Sequence, residues 1–176
     1  MKVRIVVAAA LAATVALGLS GCNLIQPQAT TKHYDASDGV GVNVGDVQLR
    51  NLILISDNGT DGNLLLTAAN TTGKDVTVSI QYTVDGKVLG GELTVPHSQF
   101  TTDWGRKGQA QIILNDINTA PGGILPVTFQ SGNSDSKTAY VPVLTTGQPE
   151  YAGLAPKAQP TAAAGATSTG TATPAK

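Results

Sequence analysis

The stretch VTVSIQYTVDGKVLGGELTV, residues 76–95, decides the fold class. Val76, Val78, Ile80, Tyr82 and Val84 alternate strictly with polar residues, the period-two pattern of a strand with one face on a core and the other in water. Asp85 and Gly86 then separate Val84 from Lys87. Asp tolerates and Gly favours positive φ, so this pair signals a two-residue type I′ hairpin. The return strand runs from Lys87 to Val95, and Pro96 closes it.

The same grammar extends upstream. Val40, Val42 and Val44 share one face, followed by Val47, Leu49, Asn51, Ile53 and Ile55, either as one long strand or as two broken near Gly45 and Asp46. DNGTDGN, residues 57–63, is a turn cluster, LLLTAAN at 64–70 is a strand, and NTTGKD turns the chain again. Downstream, PHSQFTTDWGRKG at 96–108 reads as a long loop with room for a short edge strand. QAQIILND at 109–116 resumes strand character. ILPVTFQ at 124–130 and KTAYVPVLT at 137–145 form a final hairpin, in which Pro126 and Pro142 point to edge positions or bulges because proline removes a ladder donor. Turn signals about ten residues apart, with no helical window between them, predict an all-β domain over residues 40–145: an antiparallel, immunoglobulin-like two-sheet sandwich of seven or eight strands.

The flanks differ in kind. Residues 1–21 carry Lys2 and Arg4, an apolar run from Ile5 to Leu17 and the small residues Ser20 and Gly21, the three parts of a cleaved secretory signal. Cys22, the one cysteine of the chain, follows at once. LSGC at 19–22 resembles the bacterial lipobox, which implies diacylglyceryl attachment to the Cys22 sulfur and cleavage before it. Two or more acyl chains hold a protein stably on a membrane. Residues 22–39 then read as a lipid-anchored tether. Residues 146–176, rich in Ala, Thr, Gly and Pro, read as a disordered tail that lacks apolar area to offset chain entropy. The expected location is the extracytoplasmic face of the cell membrane.

Composition narrows the partners. Loss of Lys2 and Arg4 with the signal leaves 9 of the 11 basic residues against 12 acidic ones, a mildly acidic chain without the basic stripe that nucleic-acid binding needs. VGDVQLRNLILISDNGTDGNLLLTAANTTGKDVTV at 44–78, behind the lipobox motif, resembles a group of small actinobacterial cell-envelope lipoproteins whose domain is akin to a copper-chaperone-like β-sandwich. Copper-binding relatives use several Met and His ligands. Here Met1 leaves with the signal, no other methionine exists, and His33 and His97 lie on separate segments, so no metal or other cofactor is expected.

Candidate sites are few. DNGTDG at 57–62 approaches a calcium loop but has Gly59 at the third position and Ala68 at the twelfth, where oxygen ligands belong. No G-x-S-x-G elbow occurs, and Asp103 with Glu92 is the one carboxylate pair that a glycosidase reading could use. The 96–108 loop has a binding composition: Phe100, Trp104, Arg106 and Lys107, with Trp and Arg the residues that most often carry interface energy. Trp104 is equally suited to covering one end of the core. Arg50, in VQLRN, is either an exposed strand residue or a conformational lock. The function expected from the sequence is a non-enzymatic, lipid-anchored binding or scaffolding module for an envelope protein or polymer. The alternatives are a divergent metallochaperone and an envelope hydrolase.

Overall fold

The computed structural model describes residues 2–20 and 34–156, with the side chains of 15–20 left aside. The chain divides into two units, Met1–Ala36 and Ser37 onward. In the first, an α-helix, α1, spans Lys2–Ser20. Among the described residues no helix is long and apolar enough to cross a membrane.

The described residues of the second unit form nine strands: β1 (Val40–Val44), β2 (Val47–Ile55), β3 (Gly62–Asn70), β4 (Val76–Val84), β5 (Lys87–Val95), β6 (Thr102–Trp104), β7 (Ile113–Leu114), β8 (Ile124–Ser131) and β9 (Lys137–Leu144). The strand order is β5-β4-β8-β9-β2-β3-β6, with β1 added to β2 and β7 to β3. The sheet curls into a sandwich, as expected from the sequence, with two differences. Nine strands replace seven or eight, because β6 and β7 are stubs of three and two residues. One pairing is parallel: β9 leaves β8 after Pro142 and joins β2 at Leu54↔Val143 and Ile55↔Leu144. That changeover joins the two halves of the sandwich.

Local chemistry sets the turns. Asp85 (φ 49°) and Gly86 (φ 76°) both take left-handed conformations, as a type I′ turn requires, and Val84 pairs with Lys87. Gly45 (φ 57°) breaks the upstream run, so β1 and β2 form a hairpin. The prolines sit on inner strands rather than edge strands. Each lies where a ladder stops: the β4–β8 register ends at Val127, and β9 meets β2 from Val143. A missing N–H costs little there.

A bulge at Asn51 (φ 52°) shifts the β2 register between Arg50 and Ile53. It reverses the phase of every later side chain. Val47, Leu49, Leu52 and Leu54 therefore face the main core, with Leu64, Leu66, Val78, Ile80, Val127, Phe129 and Val141. Ile53 and Ile55 face the other way, against Leu65, Tyr151 and Leu154. This second cluster corrects the tail boundary. Residues 146–156 pack on the sheet, with a 3-10 turn at Pro149–Tyr151 and with Tyr151 and Leu154 buried, because the bulged strand and Leu65 would otherwise leave an apolar face in water. Asp57 accepts hydrogen bonds from the Thr146 amide and hydroxyl, each 2.8 Å, and Tyr151 Oη donates to Asp38 at 2.6 Å. The expected disorder over 157–176 lies outside the described residues.

Candidate functional site

The sequence-nominated loop is divided by the structure. Trp104 pairs with Leu66 through β6 and is buried in the main core. Of its two readings, core cover is the one observed. Phe100 is 80% exposed, and Lys107 is exposed on the turn after β6. Arg106 is half-buried and pairs with Asp103 at 3.9 Å, while the Thr67 hydroxyl donates to the same carboxylate. Cys22 lies outside the described residues. Asp103 and Glu92 sit on β6 and β5, at opposite ends of the strand order, and Glu92 stands across from Ser79 on an exposed face. His97 is exposed and donates its backbone amide to Asp75. Arg50 is a lock: its guanidinium donates to the carbonyls of Leu49 (2.8 Å) and Val42 (3.3 Å) and to Gln48 Oε1.

The loop at Asp57–Gly62 satisfies itself. Asn58 Oδ1 accepts the Thr60 amide, Ser56 Oγ donates to the Asp61 carbonyl at 2.7 Å, and Asp57 is turned to Thr146. Asp61 Oδ1 accepts the Asp116 amide at 3.2 Å, which ties this turn to the crossover at 115–119. Two further backbone bonds, Ile117 to the Thr60 carbonyl (2.7 Å) and Thr119 to the Gly59 carbonyl (3.0 Å), finish the seam. Along the crossover, Asp116 (φ 51°) and Asn118 (φ 43°) both take left-handed conformations. Strand character, expected over 109–116, is confined to Ile113–Leu114: upstream, a turn holds residues 105–110, with the Gln109 amide donating to the Arg106 carbonyl at 3.0 Å and the Gly105 amide to the Ala110 carbonyl at 2.8 Å, and downstream the left-handed Asp116 ends the extended chain. Non-glycine residues held in that region cost energy and are over-represented at functional sites.

Between this crossover, the 57–62 turn and the β4–β5 hairpin lies a cleft of about 580 Å³. Val84 and Leu89 supply its apolar wall, Thr60 and Asn118 neutral hydrogen-bonding groups, and Asp85, Asp116 and Lys87 its charges. Tyr82 stands behind it. Its hydroxyl donates to the Asn115 carbonyl at 2.7 Å, and burial pushes the phenol above its usual pKa, with the charges of Asp116 and Asp61 adding to the shift. A concave site with an apolar wall and a few convergent polar groups is the usual form of a ligand pocket. In the sequence, Asp85-Gly86 is legible only as a turn, and Asp116 and Asn118 are signalled by nothing more than a pair of Asx residues two apart after a short apolar run.

No protein-family model matches the chain. No curated protein matches it. Among solved structures, the "apo PmoF2 PCuAC domain" is similar at 15% identity and a TM-score of 0.45, over 61% of this chain and 97% of that one. Among the described residues no three His, Cys, Asp or Glu side chains are grouped to hold a metal ion.

Proposed function

We propose that this protein is a lipid-anchored extracytoplasmic binding module without catalytic activity, and that it takes its ligand in the cleft beside the β4–β5 hairpin. The observation that carries the binding site is the meeting of three separate segments around one concavity, with left-handed Asp85, Asp116 and Asn118 among its lining residues. The anchor rests on the n-region, the apolar run and LSGC ending at Cys22. Phe100 and Lys107 remain as a second surface through which a partner would meet the 96–108 loop, and a photoreactive residue at position 100 tests it by crosslinking.

Two measurements test the main reading. Cys22→Ala releases the protein from the membrane fraction or leaves the signal uncleaved; a variant that fractionates and migrates like the parent removes the anchor. A fragment set carrying amine, amide and hydroxyl groups, followed by amide chemical shifts, should move Thr60, Asp116 and Asn118 together. If no fragment moves these three, the cleft is only a surface crease. A Cu(I) titration with a stoichiometric site tighter than micromolar would transfer the assignment to the metallochaperone alternative.

A further inference from the structure

Among the described residues, strand β5 ends the strand order and is paired on one side only, with β4. Its nine residues form a long open edge, whereas the opposite edge, β6, has three. In a hairpin with a two-residue loop the flanking residues, Val84 and Lys87, exchange hydrogen bonds, and every second pair does so thereafter. Leu89, Gly91 and Leu93 therefore bond to β4. The N–H and C=O groups of Val88, Gly90, Glu92 and Thr94 point away from the sheet. Among the described residues, no hydrogen bond from a loop or side chain reaches the backbone of these four.

Two usual protections of an edge, a proline and a bulge, are missing here, and its charges are limited to Lys87 and Glu92. No proline interrupts β5, its register with β4 runs unbroken from Lys87 to Val95, and Val88 is 67% exposed. Gly90 keeps the strand in a conformation that other residues resist, since a Cβ there would meet the Ile80 carbonyl oxygen at 2.0 Å. The cleft opens beside this edge, and Lys87 and Leu89 belong to both. Side chains alternate across a sheet, so a strand added to β5 would turn every second side chain toward the face on which Leu89 packs.

The charge of that space selects a side chain. Asp85 and Asp116 outnumber Lys87, and Asp61 stands close behind Asp116. Val84 and Leu89 supply an apolar wall. A long aliphatic stem ending in a cation satisfies both at once, the stem on the wall and the charge at the carboxylates. We infer that the open edge of β5 takes up an extended peptide as an added strand, with a Lys or Arg side chain of that peptide seated in the adjoining cleft at Asp116 and Asp85. Resting on the cleft as the binding site, this names its ligand class: a segment of polypeptide, recognised through its backbone along β5 and through one basic residue.

The test uses the mature chain and two capped peptides of alternating Thr and Val, equal to β5 in length, with one Lys third from the N- or the C-terminal end, so that it comes beside Leu89 in a parallel or an antiparallel pairing. Saturable binding is expected at peptide concentrations up to about 1 mM, with slowed amide exchange at Val88, Gly90, Glu92 and Thr94. Replacing the peptide Lys by Glu should weaken binding at least about five-fold, the effect of one half-exposed ion pair. Asp116→Asn should remove that preference. Glu92→Pro deletes one outward donor and should lose the peptide. Should that variant fail to fold, peptides N-methylated at alternate residues serve instead: one of the two registers must bind and the other must not. Equal binding by both registers, or no slowed exchange along β5, overturns the inference. If fragments still shift Thr60 and Asn118 in that case, the cleft survives and only the peptide falls. A concentration-dependent dimer abolished by Glu92→Pro would give the edge to a second copy of the chain and overturn the peptide assignment as well.

Discussion

Strands β2 and β3 are buried on both faces, whereas β4 and β5 are buried on one. The difference is written in their residues. LILI at 52–55 and LLL at 64–66 are continuous apolar runs, and each needs two covers: the main core for Leu52, Leu54, Leu64 and Leu66, and the 151–155 segment for Ile53, Ile55 and Leu65. VTVSIQYTV at 76–84 alternates and needs one cover. The doubly covered pair forms the fixed centre of the sandwich. The singly covered pair ends in an open edge, and the candidate cleft lies at its hairpin end.

The largest expected effect tests whether both covers of β2–β3 matter. Leu54→Ala, on the main-core side, and Leu65→Ala, on the side of Tyr151 and Leu154, should each lose about 2–5 kcal/mol in urea denaturation. A cost for Leu65→Ala no larger than that of a surface change would mean that residues 146–156 do not close the second cluster.

Next comes Gly90→Ala, which puts a methyl group against the Ile80 carbonyl and should cost about 1–3 kcal/mol, although the residue is exposed on the edge strand. Gly91→Ala, its neighbour with open space around the Cβ position, is the control. Equal losses at the two glycines would break the distinction between backbone demand and simple strand propensity.

A smaller effect appears in the pH dependence. Burial and the hydrogen bond to Asp38 push the Tyr151 phenol from 10.0 up to about 12. The folded chain thus holds this proton where the unfolded chain has released it. The stability from the neutral phenol is complete below pH 10 and is lost as pH rises toward 12. Thermal melts of the parent and Tyr151→Phe should differ by a gap that is constant below pH 10 and narrows between pH 10 and about 12. Tyr82, also raised, titrates in both proteins and cancels in the difference. A gap that stays constant across this range would show that Tyr151 is not sheltered.

The smallest effect belongs to the outer face of β4. Gln81→Ala should stay within about 0.5 kcal/mol of the parent by the same denaturation, because its side chain is exposed and makes one weak contact, to Ser79 Oγ at 3.4 Å. A larger loss would mean that this face has a second cover too.

Much of this arrangement is legible in the sequence alone. The alternation at 76–84, the Asp85-Gly86 turn and the punctuation by Gly, Pro and Asn determine a β domain and its hairpins, because these signals act between neighbours in sequence. Three features depended on contacts between distant residues. Trp104 suits a surface or a core equally well, and its pairing with Leu66 decides for the core. The bulge at Asn51 sends Ile53 and Ile55 away from Leu54, and only the packing of Tyr151 and Leu154 shows what covers them. The cleft joins Thr60, Asp85 and Asp116, which lie far apart along the chain, through the seam from Asp61 to the crossover. Local sequence sets φ and the facing of side chains; which segment comes to rest beside which is settled by the burial of apolar area and the pairing of buried polar groups over the whole fold.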